Sequence, residues 1–260
     1  MLESALNVLG VYKVYERRLK SQVERDEVPS HVGIVLDGNR RWAASQRLSK
    51  GVGHEEGANR AEELLEWCHQ IGIKTVTLYV LSTENLERTP EELAALFTLI
   101  QARLAKLLTD ERIVRYRVKV KAIGELGLLP SSVRQLLTEI EAKTSEYDGH
   151  YLNIALAYGG RAEITDMVRS VAQDVRSGKL NPGEISEETV SKRLYTSFLP
   201  NQEPDLIIRT SGEERMSGFL LWQGAYSELV FVDVFWPAFR FIDLLRAVRT
   251  YQKRRRRYGK

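Results

Sequence analysis

Six short runs rich in Val, Ile, Leu and aromatic residues stand out along the chain: HVGIVL at 31–36, TVTLYVL at 75–81, YRVKVKAI at 116–123, YLNIALAY at 151–158, DLIIR at 205–209 and LVFVDV at 229–234. Between them, apolar residues recur every three to four positions over stretches near 2–24, 51–71, 90–109, 130–145, 161–176, 186–195 and 240–257, with Pro or Gly at several of their ends. This alternation predicts an α/β fold with a central, mainly parallel six-stranded sheet flanked by helices. No internal repeat, low-complexity tract or Pro/Gly/Ser linker divides the chain, so residues 1–260 read as one domain. Leu2, Leu6, Leu9, Tyr12 and Leu19 share helical spacing, and residues 1–26 are expected to form an amphipathic helix packed on the domain.

In open parallel sheets ligands collect beyond the carboxyl ends of the strands, where loops and helix N-termini meet. Four of the six runs end in polar clusters there: Asp37 after the first, Ser82-Thr83-Glu84-Asn85 after the second, Tyr158-Gly159-Gly160-Arg161 after the fourth, and Arg209-Thr210-Ser211-Gly212-Glu213 after the fifth. In Asp37-Gly38-Asn39-Arg40-Arg41-Trp42, the glycine lets backbone N–H groups approach an anion and the two arginines offer forked donors. A carboxylate beside a phosphate needs a cation between them, so the segment predicts a Mg²⁺–diphosphate site. The plainer alternative is an aspartate capping a helix, with its arginines in surface pairs.

The segment from Arg209 to Ser217 again joins Arg, Ser and Gly after an apolar strand, and Glu228 follows in AYSELVF. Two anion-binding loops imply two phosphorylated substrates. A P-loop, GxGxxG, HExxH and GxSxG are all absent, which counts against ATP, NAD, zinc-protease and serine-hydrolase chemistry. His54 in GVGHEEG stands at a helix start and can donate to a phosphate, whereas His31, His69 and His150 read as structural or surface residues.

The chain of 260 residues is 43% apolar and 28% charged, the balance of a folded protein, and holds no apolar run long enough to span a bilayer. Glu3 and the lack of a small-residue cleavage site count against secretion. Cys68, the single cysteine, rules out an intramolecular disulfide and Cys-clustered metal sites, so a cytoplasmic protein is expected. The net charge of +3 is uneven: residues 240–260 carry nine basic residues against one aspartate, a local +8, leaving −5 elsewhere. Clustered cations suit nucleic acid, anionic membrane or phosphorylated ligands alike. No stacking aromatics interleave the run and the rest is acidic, which argues against nucleic acid.

These segments together resemble the cis-prenyltransferases, the family that includes undecaprenyl diphosphate synthase. The likeness runs from HVGIVLDGNRRWA through GHEEGA, TLYVLSTENLER, NIALAYGGR and DLIIRTSGEERMSGFLLWQGAYSELVF to WPAF and the terminal RRYG. It implies a homodimer, an apolar tunnel between sheet and helices, and Mg²⁺-dependent joining of isopentenyl diphosphate to an allylic diphosphate such as geranyl or farnesyl diphosphate, leaving a Z double bond. The absence of any Asp-Asp pair separates the chain from trans-prenyltransferases with DDxxD.

By motif position, the resemblance makes Asp37 the Mg²⁺ ligand that assists diphosphate departure, within a pocket of Gly38, Asn39, Arg40, Arg41, Trp42, Lys50 and His54, where Lys50 replaces a common Arg. Asn85 takes the position of the proton acceptor and reads as a relay, with Ser82, Thr83, Glu84 and Leu86 beside it and Arg88 positioning substrate. Arg209, Arg215, Met216 and Ser217 would bind isopentenyl diphosphate, and Glu228 would give Mg²⁺ a second carboxylate. Arg257 matches the C-terminal RxG that reaches the partner subunit's site.

Product length is expected to follow from where the tunnel closes, since each buried methylene adds roughly 0.8 kcal/mol. Val80 stands where long-chain members carry Ala, next to Leu81, and Leu86 replaces the usual Trp. These features resemble actinobacterial short-chain members that make (2Z,6E)-farnesyl diphosphate, with a decaprenyl- or undecaprenyl-length product as the alternative. The N-terminal helix could also cover the tunnel or touch a membrane peripherally. A silent subunit that only binds prenyl diphosphates is the alternative of another class, and the joint presence of Asp37, Asn85, Arg209, Arg215 and Glu228 speaks against it.

Overall fold

The computed structural model describes residues 10–255. Six strands, β1 (His31–Val35), β2 (Thr75–Tyr79), β3 (Val118–Ile123), β4 (His150–Ala155), β5 (Leu206–Thr210) and β6 (Glu228–Val232), form one sheet in the order β3-β4-β2-β1-β5-β6. Every neighbouring pair is parallel, so the sheet is wholly rather than mainly parallel. Each position of β1, β2 and β5 is buried, because parallel crossovers lay helices over both faces and the strands must be apolar throughout.

The helices are α1 (Val11–Val23), α2 (Asn39–Ser45), α3 (Lys50–Gln70), α4 (Pro90–Thr109), α5 (Glu111–Arg115), α6 (Ser131–Thr144), α7 (Gly160–Arg176), α8 (Glu187–Ser191) and α9 (Phe241–Arg255). Side-chain caps start four of them: the Ser49 hydroxyl accepts the Val52 N–H before α3, the Thr89 hydroxyl accepts the Glu92 N–H before α4, whose first residue is Pro90, and Asp110 and Ser186 cap α5 and α8 in the same way. The α2 helix spans only seven residues, too few for apolar periodicity to reveal it. The helix expected over 186–195 shrinks to Glu187–Ser191. The apolar run at 151–158 stops being strand at Ala155, since Ala157 takes a left-handed φ of +47° and turns the chain. Of the N-terminal helix expected over 1–26, Val11–Val23 is helical and packs on α9 through buried Leu19 and Val23, with Gln252 Nε2 donating to Val23 O at 2.8 Å. Residues 1–9 and 256–260, including Leu2, Leu6, Leu9 and the RxG arginine Arg257, lie outside the described residues.

The chain leaves β1 toward β2 on one side, while β5 arrives beside β1 from the other. The carboxyl ends of β1 and β5 therefore flank the crevice that such a reversal opens in an α/β sheet. Asp37 and Arg209 lie there.

Candidate active site

The turn after β1 is shaped by Gly38, whose φ of +106° suits glycine alone and which a Cβ would drive to 2.8 Å from the Phe235 ring. It launches α2, so that Asn39, Arg40, Arg41 and the half-buried Trp42 follow within two turns. Asp37 does not cap this helix; no side chain does. Its carboxylate instead accepts Arg209 Nη2 at 2.8 Å and Arg41 Nη2 at 3.2 Å. Partial burial works to raise the Asp37 pKa, but the two guanidiniums outweigh it and hold the carboxyl below its ordinary value.

Arg209 ends β5 and is 5% exposed. It donates to the Ser217 hydroxyl at 2.7 Å and to the Arg215 carbonyl, while its Nε has no hydrogen-bond partner among the described residues. Ser211 and Ser217 both hold left-handed backbone, with φ of +77° and +48°. Such φ values are costly for residues with a Cβ and concentrate where a loop is shaped around a ligand. Arg41 reaches across to Ser211 Oγ at 2.7 Å and to Glu213 Oε1 at 2.8 Å, and Glu213 also pairs with Arg215. Asp37 and Glu213 thus tie the two arginine-bearing loops together. Met216 is a packing residue beside Tyr79 and Phe219.

A second cationic group surrounds Glu92, a first-turn acid of α4 that no motif in the sequence singles out. Its carboxylate lies 3.2 Å from Arg88, 3.4 Å from Lys50, 3.5 Å from His54 and 3.7 Å from Arg40. Burial and the Arg88 charge push the His54 pKa down, with Glu92 working against them.

Ser82, Thr83, Glu84 and Asn85 follow β2. Asn85 Oδ1 accepts the Ser82 N–H at 3.3 Å and the Asn85 N–H donates to the Ser82 hydroxyl at 3.2 Å, so the carboxamide is held by a local turn. Thr83 N–H donates to Tyr158 O at 3.1 Å, fixing this turn against the end of β4, while Glu84 is exposed.

An apolar cavity of about 230 Å³ opens from this edge of the sheet near Leu36, Asn39 and His54. It continues between β2, β4, α3 and α4, past Leu78, Leu96 and Ile100, to Lys74, Val118 and His150 at the opposite strand ends. Dry apolar cavities of roughly 150 Å³ already hold benzene, so this one accepts hydrocarbon. Val80 and Leu81 line it and Leu86 packs against the core beside it. Val80, 37% exposed, lies past the carboxyl end of β2 and so at the mouth, not at a floor. A bulkier residue there does not close a tunnel that runs the full depth of the sheet, and the inference from Val80 to a short product loses its physical basis.

Glu228 does not join Asp37 within the chain. It opens β6 in register with Leu206, which pairs with Val32, so five residues of strand and two strand spacings put it roughly 19 Å from Asp37. It pairs there with Arg254 at 2.9 Å. Among the described residues no three metal-ligating side chains cluster. Asp37 alone fits Mg²⁺ in the manner that ion prefers with phosphates, one or two carboxylates and substrate oxygens in place of a full protein cage. No described helix is long and apolar enough to cross a membrane.

Residues 35–259 match the family described as "Putative undecaprenyl diphosphate synthase". The chain is 55% identical over 250 residues, 96% of it and 92% of the relative, to the tritrans,polycis-undecaprenyl-diphosphate synthase (geranylgeranyl-diphosphate specific) of Methanopyrus kandleri. It is 47% identical over 251 residues, 96% of it and 90% of the relative, to the protein of that name from Methanocaldococcus jannaschii. Among solved structures, lavandulyl diphosphate synthase from Lavandula x intermedia, in complex with dimethylallyl diphosphate, superposes with a TM-score of 0.81 at 32% identity, covering 86% of this chain and 95% of that one. With two arginine-lined loops at the mouth of an apolar tunnel and relatives of this identity along nearly its whole length, the chain belongs to the cis-prenyltransferases, the undecaprenyl diphosphate synthase family.

Proposed function

We propose that this protein elongates an allylic diphosphate with successive isopentenyl diphosphate units to a long polyprenyl diphosphate, starting from geranylgeranyl diphosphate. In each cycle the allylic C–O bond breaks with departure of diphosphate, a C–C bond forms between that allylic carbon and the terminal alkene carbon C4 of isopentenyl diphosphate, and C2 of isopentenyl diphosphate loses a proton to give a Z double bond between C2 and C3. The supporting observation is the 2.8 Å Asp37–Arg209 pair, which joins two arginine-bearing loops at the mouth of the tunnel. Arg40, Arg41, Arg88, Lys50 and His54 hold the departing diphosphate; Arg209, Arg215 and Ser217 hold isopentenyl diphosphate; and Asn85 relays the proton toward a phosphate oxygen. Aimed cations stabilise charge that grows only as the leaving group departs, so they act on the transition state. Mg²⁺, when held by Asp37 and diphosphate oxygens, supplies further positive charge at that point.

The farnesyl-length product expected from Val80 and Leu86 is not retained. The relatives named for undecaprenyl diphosphate and geranylgeranyl diphosphate support the longer product and primer, as does the depth of the cavity. Incubation with labelled isopentenyl diphosphate, Mg²⁺ and geranyl, farnesyl or geranylgeranyl diphosphate, followed by chromatography of the products, tests this. Preferential elongation of geranylgeranyl diphosphate to long polyprenyl chains is expected. A farnesyl-length product, or no elongation of any primer, would refute it.

A further inference from the structure

We propose that Glu92 is a positioning residue that holds the cationic cradle for the allylic diphosphate in shape before substrate arrives, an inference that rests on the assignment of that subsite above. The groups it gathers, three permanent cations and one histidine, come from three separate elements: Arg40 from α2, Lys50 and His54 from the first turns of α3, and Arg88 from the turn before α4. Left alone, like charges brought this close repel and spread toward solvent. A single carboxylate within 3.7 Å of all four supplies the shared counter-charge that keeps them converging. Because it carries one negative charge against three permanent positive ones, the cradle remains cationic and still attracts a diphosphate.

The placement of Glu92 suits this role. Its side chain is 9% exposed, and its backbone is fixed by the Thr89 cap and the adjoining Pro90, so the carboxylate is delivered by a rigid helix start. Glu92 Oε1 and His54 Nε2 are buried, 3.5 Å apart, and neither has a hydrogen-bond partner among the described residues. The cluster is therefore gathered by charge more than by completed hydrogen bonds, and His54 Nε2, when it carries a proton, is left to donate to an incoming phosphate oxygen. Desolvation disfavours a carboxylate here, yet Arg88, Arg40 and Lys50 keep it ionised, with its pKa below the ordinary value.

The test compares wild type with Glu92→Gln and Glu92→Asp, using steady-state kinetics with each substrate varied in turn and NMR titration of the His54 imidazole. In E92Q the KM for the allylic diphosphate is expected to rise about tenfold, the worth of one charge-assisted contact, while that for isopentenyl diphosphate stays within about twofold. The His54 pKa should fall further, Glu92→Asp should recover part of both effects, and thermal midpoints should stay close to wild type. An unchanged or tighter allylic KM in E92Q, or an equal rise for both substrates, overturns the proposal. If the wild-type protein turns over no allylic diphosphate, the assignment of the subsite itself falls and the proposal with it.

Discussion

Asp37 offers one carboxylate to two guanidiniums, Arg209 at 2.8 Å and Arg41 at 3.2 Å, and Arg209 is almost fully buried. Asp37→Asn should act twice. Turnover should fall by about 10²–10³, the usual loss when a group that stabilises developing charge is removed, with smaller changes in KM. Stability should fall by about 1–3 kcal/mol because Arg209 loses its anionic partner while staying buried. Steady-state kinetics and urea unfolding measure the two separately; unaltered turnover would remove Asp37 from the proposed chemistry. Asp37, the arginines beside it and the cluster from Arg209 to Ser217 were legible in the sequence because each directly follows an apolar strand, where ligands gather. Glu92 was not. An acid in the first helical turn reads as dipole stabilisation, and the function of Glu92 depends on cations brought from three other segments.

At the scale of elements, the turn after β1 is held by the close approach of α2 to α3. A Cβ on Gly53 would lie 2.4 Å from the Asn39 carbonyl oxygen and 2.9 Å from Ala43 Cβ. Because the first contact is backbone, no side-chain rotation relieves it. Gly53→Ala should therefore cost about 1–3 kcal/mol by overpacking and lower activity by shifting the residues that follow Asp37. Thermal unfolding with a kinetic assay checks this; a variant as stable and active as wild type would mean the two helices can separate freely. The same scale explains the misplaced tunnel stop. Val80 and Leu86 differ conspicuously from a family pattern, but whether a residue lies at a mouth or a floor depends on which end of a strand it occupies and what packs opposite. The far end of the cavity is instead lined by Tyr116, Val118 and His150, which lie 30 to 64 residues beyond Leu86 in the chain.

For the whole molecule, stability should carry a histidine signature. His31 is fully buried, with Nε2 2.7 Å from the Thr77 hydroxyl and Nδ1 3.1 Å from Asn201 O, and burial lowers its pKa to about 4 despite the opposing effects of Asn201 and Asp205. The unfolded chain binds this proton near pH 6.5 and the folded protein does not, so stability is full above about 6.5 and declines as pH falls toward 4. The decline from this one group totals about 3 kcal/mol. His54 and His69 are depressed in the same direction and steepen the slope. Asp37 and Glu92, held below ordinary carboxylate values, lose their contributions only at lower pH. Urea unfolding between pH 4.5 and 7.5 should show the decline, and His31→Asn should flatten it; identical slopes would show that His31 is not buried in its neutral form.

The order of apolar runs and helical stretches determined an α/β sheet, and the polar residues closing those runs determined two arginine-bearing loops, because both are local patterns imposed by strand and helix geometry. Only the tertiary structure decided which of these residues meet. It paired Asp37 with Arg209 across neighbouring strands, put Glu228 at the opposite edge of the sheet, gathered three cations and His54 around Glu92 and carried the cavity past Val80. Those outcomes follow from strand order, register and helix packing, which arise from contacts between residues far apart in the chain and leave no periodic mark on the sequence.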